Sequence, residues 1–165
     1  KGPNWFFIPE DSPYKFEVGC LPHELCAGFL GLGAYLQTVA QSDSLTRSTV
    51  VQAFDQMAEL EQAPMRRLLE FLRGRDDVQI VGPSEVSSAR VPTISFVPKG
   101  RSAVEVAAEV DRSKFGIRYG HMYAYRLCED LSIDTAQGVV RVSMVHTNTL
   151  DEIERFIPVV EAALA

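Results

Sequence analysis

Residues 138–153 read G-V-V-R-V-S-M-V-H-T-N-T-L-D-E-I, and the reading of this stretch decides the fold. Val139 to Val145 is a β-branched, apolar run with one charge set inside it. Side chains alternate across a strand, so Val140, Val142 and Met144 share one face and Val139, Arg141, Ser143 and Val145 the other. Arg141 thus stands between apolar neighbours. A half-buried guanidinium there needs an anion. Two readings are open on this strand alone: a structural ion pair or solvent-facing residue, or a site for an anionic ligand. The strand ends at His146, and Thr147-Asn148-Thr149 turns the chain. Thr149-Leu150-Asp151-Glu152 has the spacing of a capping box with Thr149 as N-cap. Ile153, Phe156, Ile157 and Val160 follow at helical spacing, with Pro158 expected to bend the helix.

Moving back from this unit, short strands are expected at Val78–Val81, Thr93–Val97 and Phe115–Tyr119, each bounded by turn residues. Ser102-Ala103-Val104-Glu105 is a second capping box, and Val106 and Val110 line the helix after it. Met122 to Leu131 reads as a short helix. Further back lie two long helical patterns. The first begins at Pro22, which suits a first helical position, and aligns Leu25, Phe29, Leu32, Leu36 and Val39. Gly28, Gly31 and Gly33 lie inside it and read as points of close helix packing, since a dinucleotide fingerprint needs a strand directly before its glycines. The second carries Val51, Phe54, Ala58, Met65, Leu68, Leu69 and Leu72, should kink or split at Pro64, and ends at Gly74. Arg66, Arg67, Arg73 and Arg75 form a basic cluster flanked by acids and read as a solvated face. The expected fold is α+β: a two-layer domain over residues 21–165, its small four-stranded sheet covered by helices, preceded by the two long helices and an extended N-terminal arm over residues 1–20. The Trp5-Phe6-Phe7-Ile8 cluster in that arm needs another surface to pack on.

The chain has 165 residues, a net charge of −6 and three cysteines, Cys20, Cys26 and Cys128. The acidic balance argues against nucleic acid or an anionic membrane as partner. No apolar run approaches a membrane span. The first residues lack the pattern of a signal peptide. An odd number of cysteines at these spacings suggests free thiols, with no disulfide framework and no metal site, so a cytoplasmic location is expected.

The text R-V-S-x-x-H-x-N-T-x-x-E-I-x-R from Arg141 to Arg155 resembles the last segment of class V aminotransferases, the family that includes cysteine desulfurases. Most members carry Tyr-Asn-Thr where this chain has Thr147-Asn148-Thr149. The N-terminal text F-F-I-P-E-D-S-P-Y-K-F-E-V-G-C-L-P-H-E-L, from Phe6 to Leu25, is most similar to the cysteine-desulfurase-like subgroup. The resemblance implies an enzyme dependent on pyridoxal 5'-phosphate and acting on an amino acid. Arg141 would clamp the substrate's α-carboxylate. The Gly19-Cys20 corner would reach the phosphate of the cofactor held by the neighbouring subunit of a homodimer. Relatives have threonine where Cys20 stands, so a hydroxyl donor is replaced by a weak S–H while backbone donation survives.

True desulfurases of the family have R-x-G-x-x-C-A where this chain reads R-Y-G-H-M-Y-A, from Arg118 to Ala124. Tyr123 therefore stands at the position of the persulfide-forming cysteine, with Arg118 and His121 aligned beside it. Tyr123 and His121 are expected to line the substrate pocket. Cys128, five residues later, is expected to be buried as a small apolar residue. The resemblance covers only the C-terminal part of the family's enzymes, so the cofactor-binding large domain is expected outside this chain. None of Lys1, Lys15, Lys99 and Lys114 follows the family's Ser-x-His motif. The chain alone is accordingly expected to be inactive and to bind no cofactor covalently. The alternative is a free-standing, non-catalytic α+β binding or assembly module.

Overall fold

A computed structural model describes residues 6–16, 19, 21–87 and 90–165. The chain divides into two units, Lys1–Ala53 and Phe54–Ala165. In the first, residues 6–16 turn without forming a helix or strand, closed by hydrogen bonds from Lys15 N to Asp11 O and from Phe16 N to Pro13 O. Trp5 lies outside the described residues; Phe6, Phe7 and Phe16 are exposed. Helix α1 follows, His23–Ala40. Leu36 and Val39 are half-buried, whereas Leu25, Phe29 and Leu32 are exposed. Of its glycines, a Cβ on Gly33 would meet the Leu45 side chain at 2.9 Å, and Gly28 and Gly31 face open space. Close packing therefore holds at Gly33 and not at the other two.

Helix α2, Arg47–Leu60, runs across the division between the units, and α3 is Gln62–Arg73. The break falls at Glu61. Pro64 sits in the first turn of α3, where its missing N–H leaves no helical acceptor without a partner. Gly74 caps α3, donating its N–H to Glu70 O. Met65, Leu68, Leu69 and Leu72 turn fully inward, as their spacing requires.

The sheet of the second unit comprises β1 (Val78–Val81), β2 (Thr93–Pro98), β3 (Arg118–Gly120) and β4 (Val139–Ser143). Its order is β1-β2-β4-β3, with every neighbouring pair antiparallel. Helix α4 (Ala103–Asp111) follows β2, α5 (Tyr125–Asp130) follows β3, and α6 (Leu150–Leu164) closes the unit. The fold is the expected small α+β domain. Two strands are shorter than the apolar runs suggested. β3 is confined to three residues, and β4 stops at Ser143 because Asn148 Oδ1 accepts from Val145 N at 2.8 Å and turns the chain.

One sheet face carries Phe96, Ile94, Val140 and Val142, packed on α3, α4 and α6 in the main core. The other face is divided. At one end Val81, Val97 and Val139 join Cys128, Ile133 and Met122 in a small second cluster under α5. The rest of that face holds Ser95, Arg141 and Arg118, side by side on three strands. Both capping boxes form. Ser102 and Glu105 cap α4 reciprocally, and Thr149 and Glu152 do so for α6, which runs through Pro158 to Leu164.

Candidate functional site

Alternation along β4 decides where its charge goes. Val140 and Val142 are drawn into the main core, which forces Arg141 onto the opposite face. Arg141 is half-buried, with β2 on one side and β3 on the other. Its register partners are Ser95 and Arg118. Its Nε is buried and has no hydrogen-bond partner. Among the described residues it takes part in no ion pair. The same is true of Arg118, which is exposed on the edge strand and donates only to the Ile117 carbonyl, at 3.2 Å. The two arginines, with Gly116, Ile117 and Ser143, line an open cleft of about 230 Å³. The basic cluster on α3 contrasts with this. Arg67 meets Glu154 at 2.7 Å, Arg73 meets Glu85 at 2.7 Å, and Arg75 is held by Asp77. Those three guanidinium groups are paired within the protein, whereas Arg66 and the two cleft arginines join no ion pair among the described residues.

Beyond β3 the chain makes a tight turn. Gly120 has φ 118°, and the next two residues but one, Met122 and Tyr123, lie in the left-handed region at φ 50° and 61°. Two consecutive side-chain-bearing residues rarely adopt that region, and each costs of order 1–3 kcal/mol. The turn is held by His121: its carbonyl accepts from Ala124 N at 2.7 Å, and its Nδ1 accepts from Tyr123 N at 3.1 Å. The His121 ring also meets the Tyr125 ring edge-on, with centroids 5.7 Å apart. The result projects Tyr123 fully into solvent. His121 and Tyr123 leave from the Gly120 end of β3, which pairs with Val139, and neither lines the arginine cleft. Cys128 is buried under α5 among Ile133 and Val139. Cys26 is exposed on α1.

At the other candidate site, Gly19 has φ 104° with open space around its α-carbon, and Cys20 lies outside the described residues. Helix α1 begins just beyond. Its N-cap, Pro22, makes no side-chain cap, so the first-turn N–H groups keep their donors available. Of the lysines, Lys99 Nζ donates to Asp76 O at 2.9 Å, Lys15 pairs with Glu10, and Lys114 lines a neighbouring hollow with Gly116, Ile117 and Ser143. Among the described residues no cluster of histidine, cysteine and acidic side chains could hold a metal ion, and no helix is long and apolar enough to cross a membrane.

Sequence reasoning singled out Arg141 and left Arg118 without a role. The signal for Arg118 was available only in register: two arginines 23 positions apart become direct neighbours once β3 and β4 pair.

The sequence model of the aminotransferase class-V family matches residues 7–156. The chain is 34% identical over 162 residues to the aminotransferase-like protein FGM3 of Gibberella zeae, an alignment covering 96% of this chain and 38% of that protein. It is 36% identical over 158 residues to the cysteine desulfurase-like protein ustD of Aspergillus flavus, covering 93% of this chain and 33% of the relative. Among solved structures, the apo cysteine desulfurase of Thermococcus onnurineus NA1 superposes with a TM-score of 0.69 at 26% identity, over 92% of this chain and 34% of that one. The chain thus spans 38% and 33% of the length of these two curated relatives. With the family model matching from the arm into α6, the chain belongs to the class-V aminotransferases, the family that includes the cysteine desulfurases.

Proposed function

We propose that this chain is the C-terminal small domain of a pyridoxal-phosphate-dependent, cysteine-desulfurase-like enzyme that acts on an amino acid. The observation that carries the reading is the Arg141 guanidinium: half-buried in mid-sheet, open to a cleft, its buried Nε without a partner. A planar fork in that state binds a carboxylate bidentately. Arg141 is the group that clamps the substrate's α-carboxylate. Tyr123 and His121, on the turn after β3 and outside the arginine cleft, line the part of the pocket that the large domain completes. The backbone at Gly19-Cys20 and the α1 start donates to the cofactor phosphate across a homodimer; a left-handed glycine ahead of an uncapped helix suits that task.

The residues here suit the phosphate end of the cofactor and the substrate carboxylate, and not its covalent anchor, since none of Lys1, Lys15, Lys99 and Lys114 follows the Ser-x-His motif of the family. The anchoring lysine belongs to the large domain, and the chain alone is inactive. When bound, pyridoxal phosphate supplies an electron sink for bonds at the amino acid's α-carbon. This chain's part is to fix the carboxylate, and so decide which α-bond faces the reacting machinery. A cytoplasmic enzyme fits this reading.

The test uses the full-length, cofactor-loaded protein with Arg141→Lys. Fold and cofactor absorbance are expected to persist. Amino-acid binding, followed by the spectral shift of the cofactor, should weaken by about 1.5–3 kcal/mol, the scale of a hydrogen bond to a charged group. A variant that is less stable to urea but binds the amino acid as tightly as the parent would assign Arg141 to architecture instead.

A further inference from the structure

We propose that Arg118 selects a substrate with a second carboxylate, so that the cleft takes a dicarboxylic amino acid. This rests on the reading of Arg141 as the α-carboxylate clamp. Arg118 and Arg141 are direct cross-strand partners on one face of the sheet. Like charges directly opposite in an antiparallel pair are destabilising, and an anion bound between them offsets the repulsion. Nothing in the protein does so among the described residues. The cleft lining is Gly116, Ile117 and Ser143 besides the arginines, with no acid, and neither guanidinium joins an ion pair. Arg67, Arg73, Arg75, Arg112 and Arg155 each have a carboxylate. Among the described residues Arg47, Arg66, Arg90, Arg101 and Arg126 join no ion pair either, but in the sheet's strand register only Arg118 and Arg141 stand directly opposite each other.

Charge then sets the class of ligand. A monocarboxylic amino acid whose ammonium is engaged elsewhere brings one negative charge to two positive ones. A dicarboxylic one neutralises both and gives each guanidinium its own planar acceptor. Cross-strand neighbours lie about 4.5–5.5 Å apart at Cα, a span that suits two carboxylates on a short carbon chain. Ser95 is the neutral residue at the level of Arg141 on β2, and Ser143, two residues along β4, lines the cleft. Arg141 is half-buried and fixed, suited to the invariant end of an amino acid. Arg118 is exposed on the edge strand, free to follow a side chain.

The experiment titrates full-length, pyridoxal-phosphate-loaded protein with L-aspartate, L-glutamate and their neutral amides L-asparagine and L-glutamine. Binding is read from the cofactor's absorbance, with circular dichroism to check each variant's fold. The wild type should bind at least one acid tenfold or more tightly than its amide. Arg118→Gln should bring that ratio close to one while leaving amide affinity within about twofold, and Arg118→Lys should restore part of it. Arg141→Lys should weaken acid and amide alike. If Arg141→Lys changes nothing but Arg118→Gln still removes the preference, the α-carboxylate reading fails and the selection by Arg118 stands. Equal wild-type affinity for acid and amide overturns the proposal, as does an Arg118→Gln variant that weakens both equally.

Discussion

Gly138 sets where the charged strand begins. It has φ 65°, and a Cβ built on it would lie 2.0 Å from the carbonyl carbon of Gly120. The end of β3 and the start of β4 can therefore approach only through two bare α-carbons, and that approach holds Arg118 and Arg141 in register. Gly138→Ala should cost more than the roughly 1–2 kcal/mol of a left-handed L-residue, because a backbone clash is added. Urea unfolding would read this, and a variant as stable as the parent would show that the strand ends part easily. The chemistry at Tyr123 is also a matter of single side chains. Sulfur transfer needs a thiolate that can reach the substrate. A phenol has no sulfur on which a persulfide could form. Cys128 is buried in the cluster beneath α5. The full-length protein given cofactor and L-cysteine is therefore expected to form no persulfide on Cys128. Alkylation and mass analysis check this, and an added sulfur there that vanishes with Cys128→Ser would make the protein a desulfurase with a displaced nucleophile.

At the scale of elements, the two capping boxes have a pH signature. The backbone N–H of Thr149, and then the Asn148 amide, hold the Glu152 carboxyl below its usual range. The Ser102 N–H and hydroxyl do the same for Glu105. A carboxylate whose pKa is lower in the folded state contributes stability that is present above its unfolded value, near 4.3, and is lost as pH falls through the folded value. The caps should accordingly hold at neutral pH and release on acidification below about pH 4. Thr149→Ala should cost about 1 kcal/mol at pH 7, the usual worth of an N-cap. Glu152→Ala removes the other half of the box, and below that transition its cost should shrink, because the protonated carboxyl of the wild type has lost that half too. Denaturant midpoints of wild type and variant at pH 7 and pH 3 measure the difference. An equal cost at both would mean that the charge of Glu152 contributes nothing to the cap.

For the molecule as a whole, the two units differ in how far each satisfies itself. The unit Phe54–Ala165 contains the sheet and a core in which Phe96, Met65, Leu68, Val140 and Val160 have no exposed surface. A fragment of residues 54–165 should unfold in a single cooperative transition, seen as coincident fluorescence and circular dichroism curves. Non-coincident curves would show that the core needs the preceding residues. The unit Lys1–Ala53 leaves Phe6, Phe7, Phe16, Leu25, Phe29 and Leu30 exposed. Apolar surface of this extent marks an interaction face. Residues 1–165 expressed alone should therefore self-associate, and light scattering over a concentration series reads this. A concentration-independent monomer resistant to protease across residues 6–16 would count against it.

The sequence by itself determined the local structure and the side of the sheet on which Arg141 lies. Capping boxes at Ser102 and Thr149, the 3.6-residue pattern of α3 and α6, and the alternation of Val140 and Val142 are all short-range signals, written within one or two turns of chain. The texts of 141–155 and 6–25 also carried the family, as a resemblance. Strand length was less legible. Phe115 to Tyr119 is apolar enough for five residues of strand, but only Arg118–Gly120 pair with β4. The apolar face of α1 was plain as a pattern, and its exposure was not, since what a helix packs on is written elsewhere in a chain. Only the tertiary structure decided that Arg118 faces Arg141, because register is fixed by long-range pairing and by the bare contact of Gly138 with Gly120. The same pairing separates the cleft from the His121–Tyr123 turn. A linear motif places those residues together, while the antiparallel sheet sends a guanidinium pair to one level of β4 and the exposed tyrosine beyond its end.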